Sequence, residues 1–296
     1  MTRKRRRIFV AATINLMMGE SSSDGVLITE DGFPIARETP TIRKERVYLS
    51  DNQGNSRVFE VWSPIGVVPV GMNIHLHGGY GTGFGGYVDG TEAGLNNGGL
   101  AATMNYTSAF EQQWVNVYPN ALYNSTVLGL CWVAGTAFEY SGNPDDEDFI
   151  DAVATYVKER YSFSTNKHVV TGVSAGAMEA FRYAGKAQRE NFTYKPTHLI
   201  SINGVIAFDN VAEPYEATCK VMSITSDQDT IVPPAGGGFG SYMTRTAFHA
   251  IISAFASSTT YITETYGQHG VKYTRIGLGN HSPVKSLQTW IEEFLA

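Results

Sequence analysis

Ser174 lies at the centre of Gly-Val-Ser-Ala-Gly, residues 172–176, between a run of β-branched residues and a helical pattern. A serine hydroxyl becomes a nucleophile when a neighbouring base removes its proton. In a G-x-S-x-G turn the serine sits between a strand and a helix, and the glycines let these two elements approach without side-chain clashes. The helix N-terminus favours a developing negative charge. The pattern therefore predicts a nucleophilic Ser174 rather than a plain turn.

A nucleophilic serine needs a base, and the base needs an acid that orients it. The segment SDQDTIVPP places Asp227 and Asp229 directly after the strand-like segment KVMSITS. The segment GLGNHSP places His281 in a glycine-rich loop before the last helical pattern, a position that none of the other six histidines shares. The order Ser, Asp, His is that of the α/β-hydrolases. We predict a triad of Ser174, His281 and one of the two aspartates.

The segment NIHLHGGYGTGFGG supplies backbone N–H groups after the first strand expected in a parallel sheet. We expect the N–H groups of Gly79 and Ala175 to form an oxyanion hole. His75 and His77 alternate along the strand and face one side, but no third ligand accompanies them. We therefore predict no metal and no cofactor.

Strand-like and helical patterns alternate from residue 70 onward, which is typical of a mainly parallel sheet covered by helices on both faces. The strand-like segments are VGMNIHLH, WVNVYP, KHVVTGV, THLISING and KVMSITS, and the helical ones are DEDFIDAVATYVKERY, SAGAMEAFRYAGKAQRE and PVKSLQTWIEEFL. Before them, KERVYLS and SRVFEVWSP flank DNQGN and predict an antiparallel hairpin, and TTYITETYGQHGVKYTRIGLG predicts a second hairpin. Ligands of such sheets lie beyond the carboxyl ends of the strands.

The length of 296 residues fits one large domain. We predict an arm over residues 1–40, which are polar and interrupted by glycine and proline, and a single α/β-hydrolase catalytic domain over residues 41–296. The chain has 28 Asp and Glu against 22 Lys and Arg, and five of the basic residues lie together at positions 3–7. The strongly acidic remainder would repel nucleic acid, so no nucleic-acid partner is expected. No apolar run reaches the ~18 residues of a membrane helix, so we expect no stable membrane insertion.

The N-terminal segment MTRKRRRIFVAATINLMM resembles an export signal, and RRIFV resembles a twin-arginine signal. This pattern predicts an extracellular or periplasmic protein, and a retained basic tail or attachment segment is the alternative. Cys131 and Cys219 permit at most one disulfide, and we expect two free thiols.

Taken in order, these motifs resemble the polyhydroxybutyrate depolymerase and feruloyl-esterase-like family of α/β-hydrolases. The matching segments run from about residue 57 to the C-terminus and are LHGG, VYPN, CW, the block from DDEDFIDAV to GVSAGAM, DQDTIVP and GNHS. The family pattern D-x-x-V-P falls on residues 229–233, which implies that Asp229 rather than Asp227 orients His281. Gly79 stands where many members have a cysteine, so Cys131 lacks its usual family partner.

The resemblance implies a serine ester hydrolase that works through an acyl-enzyme. Its substrates would be short-chain hydroxyalkanoate esters or polyester, or feruloyl and acetyl esters of polysaccharides. Tyr80 and Trp132 are expected to contact substrate in an open cleft lined with aromatic rings. No long insertion between strands supplies the apolar lid of a lipase, so we expect short acyl chains to be preferred.

Two other functions are compatible with parts of the sequence. GTGFGG, residues 81–86, matches the dinucleotide pattern G-x-G-x-x-G, but no helix clearly begins there and no Asp or Glu closes the strand WVNVYP to bind a ribose. An adhesion or virion protein could use the same fold with the basic arm as its attachment device. An intact Ser–Asp–His set favours an enzyme over either alternative.

Overall fold

The computed structural model describes residues 27–28, 34–38, 42–78, 112–125, 129–133, 145–206, 217–226, 229, 232–237, 243–264 and 287–296. The strands are β1 (Leu27–Ile28), β2 (Pro34–Glu38), β3 (Ile42–Ser50), β4 (Ser56–Pro64), β5 (Gly71–Leu76), β6 (Trp114–Pro119), β7 (Tyr123–Ser125), β8 (Gly129–Cys131), β9 (Lys167–Val173), β10 (His198–Ile202), β11 (Lys220–Ser226) and β12 (Ser258–Glu264). The helices are α1 (Asp146–Arg160), α2 (Ala175–Arg189), α3 (Arg245–Phe255) and α4 (Leu287–Leu295). None of the helices in these ranges has the length and apolar character that a membrane span requires.

Ten strands form one sheet in the order β1-β2-β3-β4-β6-β5-β9-β10-β11-β12. The ladders from β6 through β5 to β12 are all parallel, whereas those from β1 to β4 and between β4 and β6 are antiparallel. The predicted mainly parallel sheet is confirmed, and so is the hairpin of β3 and β4, which pairs Ile42 with Pro64 and Ser50 with Ser56. The first part of the second predicted hairpin is β12, which pairs parallel with β11. Its return segment lies outside the described residues.

The parallel strands are buried on both faces, which explains their apolar sequences. Helices α1, α2 and α3 pack on one face, where their side chains share a core with Ile74, Val170 and Leu199. Helix α4 packs on the other face, where Ile291 and Leu295 join a second core. Neighbouring residues of one strand thus contribute to opposite cores, and the expected covering of both faces by helices is confirmed.

Strands β1 and β2 lie within the segment predicted as an arm. β2 pairs antiparallel with β3, with Ile35 opposite Glu45, and so extends the sheet. The division into an arm over residues 1–40 and a catalytic domain over residues 41–296 stays a prediction.

The parallel direction of β5, β9, β10 and β11 places their carboxyl ends along one edge of the sheet. Gly78 follows β5, Ser174 follows β9, and Asp229 follows β11. The fold therefore places these three segments of the predicted site at the same edge.

Candidate active site

Ser174 occupies a sharp turn between β9 and α2. Its backbone has φ 53° and ψ −119°, a conformation that costs free energy for a residue with a side chain. The N–H of Ser174 donates to the carbonyl of Ile202 in the neighbouring strand β10 at 2.9 Å. The carbonyl of Ser174 accepts from Ala177 and Met178, which begins helix α2, while the Ser174 side chain does not cap that helix. A strained backbone at the half-buried Ser174 indicates a role that is not purely structural.

The glycines around Ser174 are required by crowding of the backbone. A Cβ atom on Gly172 would collide with the carbonyl of Gly176, and a Cβ on Gly176 would collide with the carbonyl oxygens of Leu76 and His77. Only glycine therefore lets β9, α2 and the segment after β5 approach this closely. The close approach that the motif predicts is present at both positions.

The segment after β5 borders Ser174. A Cβ atom on Gly78 would lie 3.3 Å from the Cβ and 4.0 Å from the Oγ of Ser174. Ala175, the first residue of α2, is buried beside it. The N-terminus of α2 and the backbone after His77 thus flank Ser174, which is the arrangement that an oxyanion hole needs. The predicted donor Gly79 lies outside the described residues, as do Tyr80 and residues 81–86.

Asp229 is buried and lies three residues beyond the end of β11. Its Oδ1 accepts from the N–H of Val232 at 2.8 Å, and this hydrogen bond holds the carboxylate. Two strand-to-strand steps, β9 to β10 and β10 to β11, separate it from Ser174 along the same edge. Asp227 and His281 lie outside the described residues, and the triad of Ser174, Asp229 and His281 stays a prediction.

The position of Trp132 differs from the predicted substrate contact. Its side chain is fully buried, and its indole N–H donates to the carbonyl of His77 at 2.9 Å. The Trp132 and His77 rings lie 5.2 Å apart between centroids. An indole with no exposed surface and its only donor used internally supports the His77 segment rather than lining a cleft.

His77 is held as a neutral imidazole. Its Nδ1 donates to the carbonyl of Gly78 at 2.7 Å, and its Nε2 accepts from the N–H of Ala121 at 3.1 Å. Burial lowers the pKa of His77 to about 4. Both ring nitrogens therefore bond to backbone, Nδ1 to the segment that borders Ser174 and Nε2 to the segment after β6.

His75 has a separate structural role. Its Nε2 lies 3.0 Å from the Oδ1 of Asn116, and its ring stacks on Tyr118 at 4.7 Å. Burial lowers the pKa of His75 to about 4, although the hydrogen bond to Asn116 opposes this shift. Across the described ranges, no group of three or more His, Cys, Asp or Glu could hold a metal ion.

A network of buried charges behind Trp132 was missed by the sequence reasoning. The Oδ2 of Asp146 accepts from the N–H of Val133 at 2.9 Å, and its Oδ1 accepts from Arg57 at 2.6 Å. Arg182 donates from Nη1 to the carbonyl of Val133 at 2.9 Å and from Nε to Glu147 at 2.8 Å. The acidic run DDED, residues 145–148, could have indicated this network. Asp145 alone accepts the N–H of Asp148 and caps the start of α1, so the acidic residues after it are not needed as caps.

Glu179 lies next to this network and is fully buried on α2. Neither of its carboxyl oxygens has a hydrogen-bond partner in the described part of the chain. Burial, followed by the negative charges of Glu147 and Asp146, raises the pKa of Glu179 well above its usual value. Burial therefore favours the protonated, uncharged form of this carboxyl group.

Comparison with known proteins shows that the chain is similar in fold to several solved structures. No protein-family model matches the chain, and a sequence comparison with curated proteins gave no match. Among solved structures, a cold-adapted esterase from an Arctic intertidal metagenomic library is similar at 12% identity and a TM-score of 0.53, over 79% of this chain and 89% of the esterase. Brefeldin A esterase, a bacterial homologue of human hormone-sensitive lipase, is similar at 15% identity and a TM-score of 0.50, over 80% of this chain and 73% of that chain. A thermostable esterase is similar at 16% identity and a TM-score of 0.51, over 75% of this chain and 55% of that chain.

These likenesses concern the fold, because the identities are low. The parallel sheet, the helices on both faces and the turn between β9 and α2 agree with it. The chain has the α/β-hydrolase fold.

Proposed function

We propose that this protein is a serine carboxylic ester hydrolase. The observation that carries the proposal is the strained backbone of Ser174 at the start of α2, with Gly78 directly beside its side chain. A strained serine at a strand-to-helix turn is typical of a nucleophile elbow. The solved structures of similar fold include proteins named as esterases, which supports the same reaction class.

The proposed reaction proceeds through an acyl-enzyme. His281 takes the proton of Ser174 as the serine oxygen attacks the ester carbonyl carbon, and Asp229 holds the imidazole in the required tautomer. The N–H groups of Ala175 and Gly79 stabilise the oxyanion of the tetrahedral intermediate. The C–O bond to the alcohol then breaks, and the alcohol leaves with the proton from His281. Water attacks the acyl-enzyme with His281 again as base, the acid is released, and Ser174 recovers its proton.

The substrate class that we propose follows from the family resemblance. It comprises short-chain hydroxyalkanoate esters or polyester, and feruloyl or acetyl esters of polysaccharides. The export-like N-terminus supports the extracellular or periplasmic location that we propose. Each buried CH₂ contributes about 0.8 kcal/mol, so a shallow site without a lid gains little from a long acyl chain.

Replacing the nucleophile tests the reaction class. Ser174→Ala should lower turnover of p-nitrophenyl acetate by about 10³-fold or more while the far-UV circular dichroism spectrum is unchanged. Ser162→Ala is the matched control, because Ser162 is exposed in the connection between α1 and β9 at the other edge of the sheet. Retained turnover in Ser174→Ala would contradict the assignment.

A substrate panel tests the specificity. We expect kcat/KM to be higher for p-nitrophenyl acetate and butyrate than for the palmitate, and methyl ferulate and hydroxybutyrate oligomers separate the two branches. Release of ferulate would support the carbohydrate-ester branch, and release of hydroxybutyrate would support the polyester branch. Preferred cleavage of palmitate would contradict an open, shallow site.

A further inference from the structure

The segment His77–Gly78 lies between Trp132 and the turn that holds Ser174, and it contacts both. On one side, the carbonyl oxygens of Leu76 and His77 lie so close to Gly176 that no Cβ fits there. On the other side, the His77 carbonyl accepts the indole N–H of Trp132 at 2.9 Å. The His77 carbonyl belongs to the peptide group that carries the N–H of Gly78, so a rotation of this carbonyl moves the Gly78 backbone that borders Ser174. Gly79, the proposed oxyanion donor, follows directly in the chain, so such a rotation also displaces its N–H.

The backbone of Val133, which follows Trp132, is held at both of its polar groups. Its N–H donates to Asp146 at the start of α1, and its carbonyl accepts from Arg182 on α2. We name this arrangement of Asp146 and Arg182 around Val133 the Val133 clamp. Helix α2 begins directly after Ser174, so one helix carries the nucleophile at its start and half of the clamp two turns later.

The two side chains of the clamp each form a hydrogen bond with another ionisable side chain. Arg57 is fully buried and donates to Asp146 at 2.6 Å, and its guanidinium lies 4.0 Å from the ring centre of Phe149. Glu147 accepts from Arg182 at 2.8 Å. Hydrogen bonds to buried charged groups are among the stronger ones in proteins and hold a narrow geometry. Side chains of α1 and α2 therefore hold the backbone that directly follows Trp132.

We propose that Trp132 is a positioning residue for ester hydrolysis, and that the Val133 clamp and the Trp132 hydrogen bond together orient the His77–Gly78 backbone for oxyanion stabilisation above Ser174. This inference rests on the proposed function. An oxyanion donor acts mainly in the transition state, so a shift of this backbone affects kcat much more than KM.

Trp132→Phe tests the proposal, because it removes the indole N–H and keeps an aromatic ring. A displacement of about 1 Å can cost about 10²-fold in rate, and we expect kcat for p-nitrophenyl acetate to fall about 10- to 100-fold with KM within about twofold of the wild type. The inhibition constant of a trifluoromethyl ketone, whose adduct with Ser174 carries an oxyanion, should rise by a similar factor.

Trp114→Phe is the matched control. Trp114 is also a buried tryptophan, but it begins β6 at the opposite edge of the sheet from Ser174. We expect this variant to keep the wild-type kcat even where it lowers the midpoint of urea unfolding. Equal losses of kcat in Trp132→Phe and Trp114→Phe would overturn the proposal, and so would a change of KM without a change of kcat.

Arg182→Lys tests the Val133 clamp independently, and this test can be used even if the Trp132→Phe variant does not fold. Lysine has no fork to reach both Val133 and Glu147, so kcat should fall, whereas Arg189→Lys at the exposed end of α2 should leave kcat unchanged. Unchanged kcat in Arg182→Lys would overturn the role of the clamp. The proposed function is tested separately, and it is established if the wild type hydrolyses the ester and Ser174→Ala does not. An inactive wild type would overturn the proposed function and this inference together.

Discussion

Individual carboxyl groups in this protein differ in the partners that surround them. Asp229 is buried but accepts a hydrogen bond from the backbone N–H of Val232. Glu179 is equally buried but has no hydrogen-bond partner among the described residues. A hydrogen-bonded carboxylate can orient an imidazole, whereas an isolated buried carboxyl keeps its proton. The two residues therefore lead to different predictions.

Asp229→Asn should lower kcat/KM for a p-nitrophenyl ester by about 10³- to 10⁴-fold, because an amide stabilises the wrong imidazole tautomer. The amide oxygen can still accept the Val232 N–H, so this hydrogen bond and the fold should persist. Asp227→Asn is the matched control and should have a mild effect. The opposite result for the two variants would show that the D-x-x-V-P registration is wrong.

Glu179→Gln should stabilise the protein increasingly as the pH rises. Folding raises the pKa of Glu179 above its ordinary value of 4.5, so the folded state binds more protons than the unfolded state and stability falls as the pH rises through this range. Glutamine removes this titration. Thermal unfolding at pH 5 and pH 8 should show a larger gain at pH 8, with the exposed Glu190→Gln as control. An equal effect at both pH values would mean that Glu179 is ionised in the folded protein.

At the level of elements, helix α2 has two glycines in different surroundings. Gly176 faces the backbone carbonyls of Leu76 and His77, which cannot move without shifting β5. Gly185 lies two and a half turns further along, where an added Cβ would be 3.1 Å from the flexible end of Arg189. An added methyl group would thus meet fixed backbone at Gly176 and a movable side chain at Gly185.

Gly176→Ala should lower the free energy of unfolding by about 1–3 kcal/mol, the usual cost of overpacking, and should also reduce ester turnover. Gly185→Ala should be neutral or stabilising by up to about 1 kcal/mol, because alanine is the better helix former. Urea unfolding of both variants measures the difference. A tolerated Gly176→Ala would contradict the close approach of α2 to the segment after β5.

Across the described parts of the molecule, burial raises the pKa values of some acidic groups and lowers those of some histidines. Burial raises the pKa of Glu147 to about 8 on the side of α1 and α2, and it lowers the pKa of His75 and His77 to about 4 at the end of β5. The acids destabilise the fold as the pH rises, and the histidines destabilise it as the pH falls. The wild-type stability profile is a sum of both effects, so single variants are needed to separate them.

The difference in the free energy of unfolding between the wild type and His75→Gln should be smaller at pH 4 than at pH 7. The folded pKa of about 4 lies below the ordinary 6.5, so the histidine contribution is complete above pH 6.5 and is lost as the pH falls toward 4. At 1.36 kcal/mol per pKa unit this loss amounts to about 3 kcal/mol, and urea unfolding at several pH values measures it. A pH-independent difference would show that His75 is not held neutral in the folded protein.

The nucleophile turn, the parallel sheet and the first hairpin could be predicted from the sequence, because each depends on local patterns. Apolar runs identify buried strands, helical periods identify α1 and α2, and the two glycines around Ser174 identify the turn. The choice between the two aspartates could not be made from local patterns, since only the family pattern favoured Asp229 over Asp227, and it stays a prediction. His281 was predicted from chain order alone and stays a prediction.

The burial of Trp132 and its contact with His77 were decided by the tertiary structure. An aromatic residue in a loop sequence is equally compatible with an exposed cleft and with burial, and only its contact with the His77 carbonyl distinguishes them. The same is true of Asp146 and Arg182, which are 36 positions apart in sequence and meet at Val133 because α1 and α2 pack against each other. Local patterns specify which elements form, whereas contacts between elements distant in sequence depend on packing that no short segment encodes.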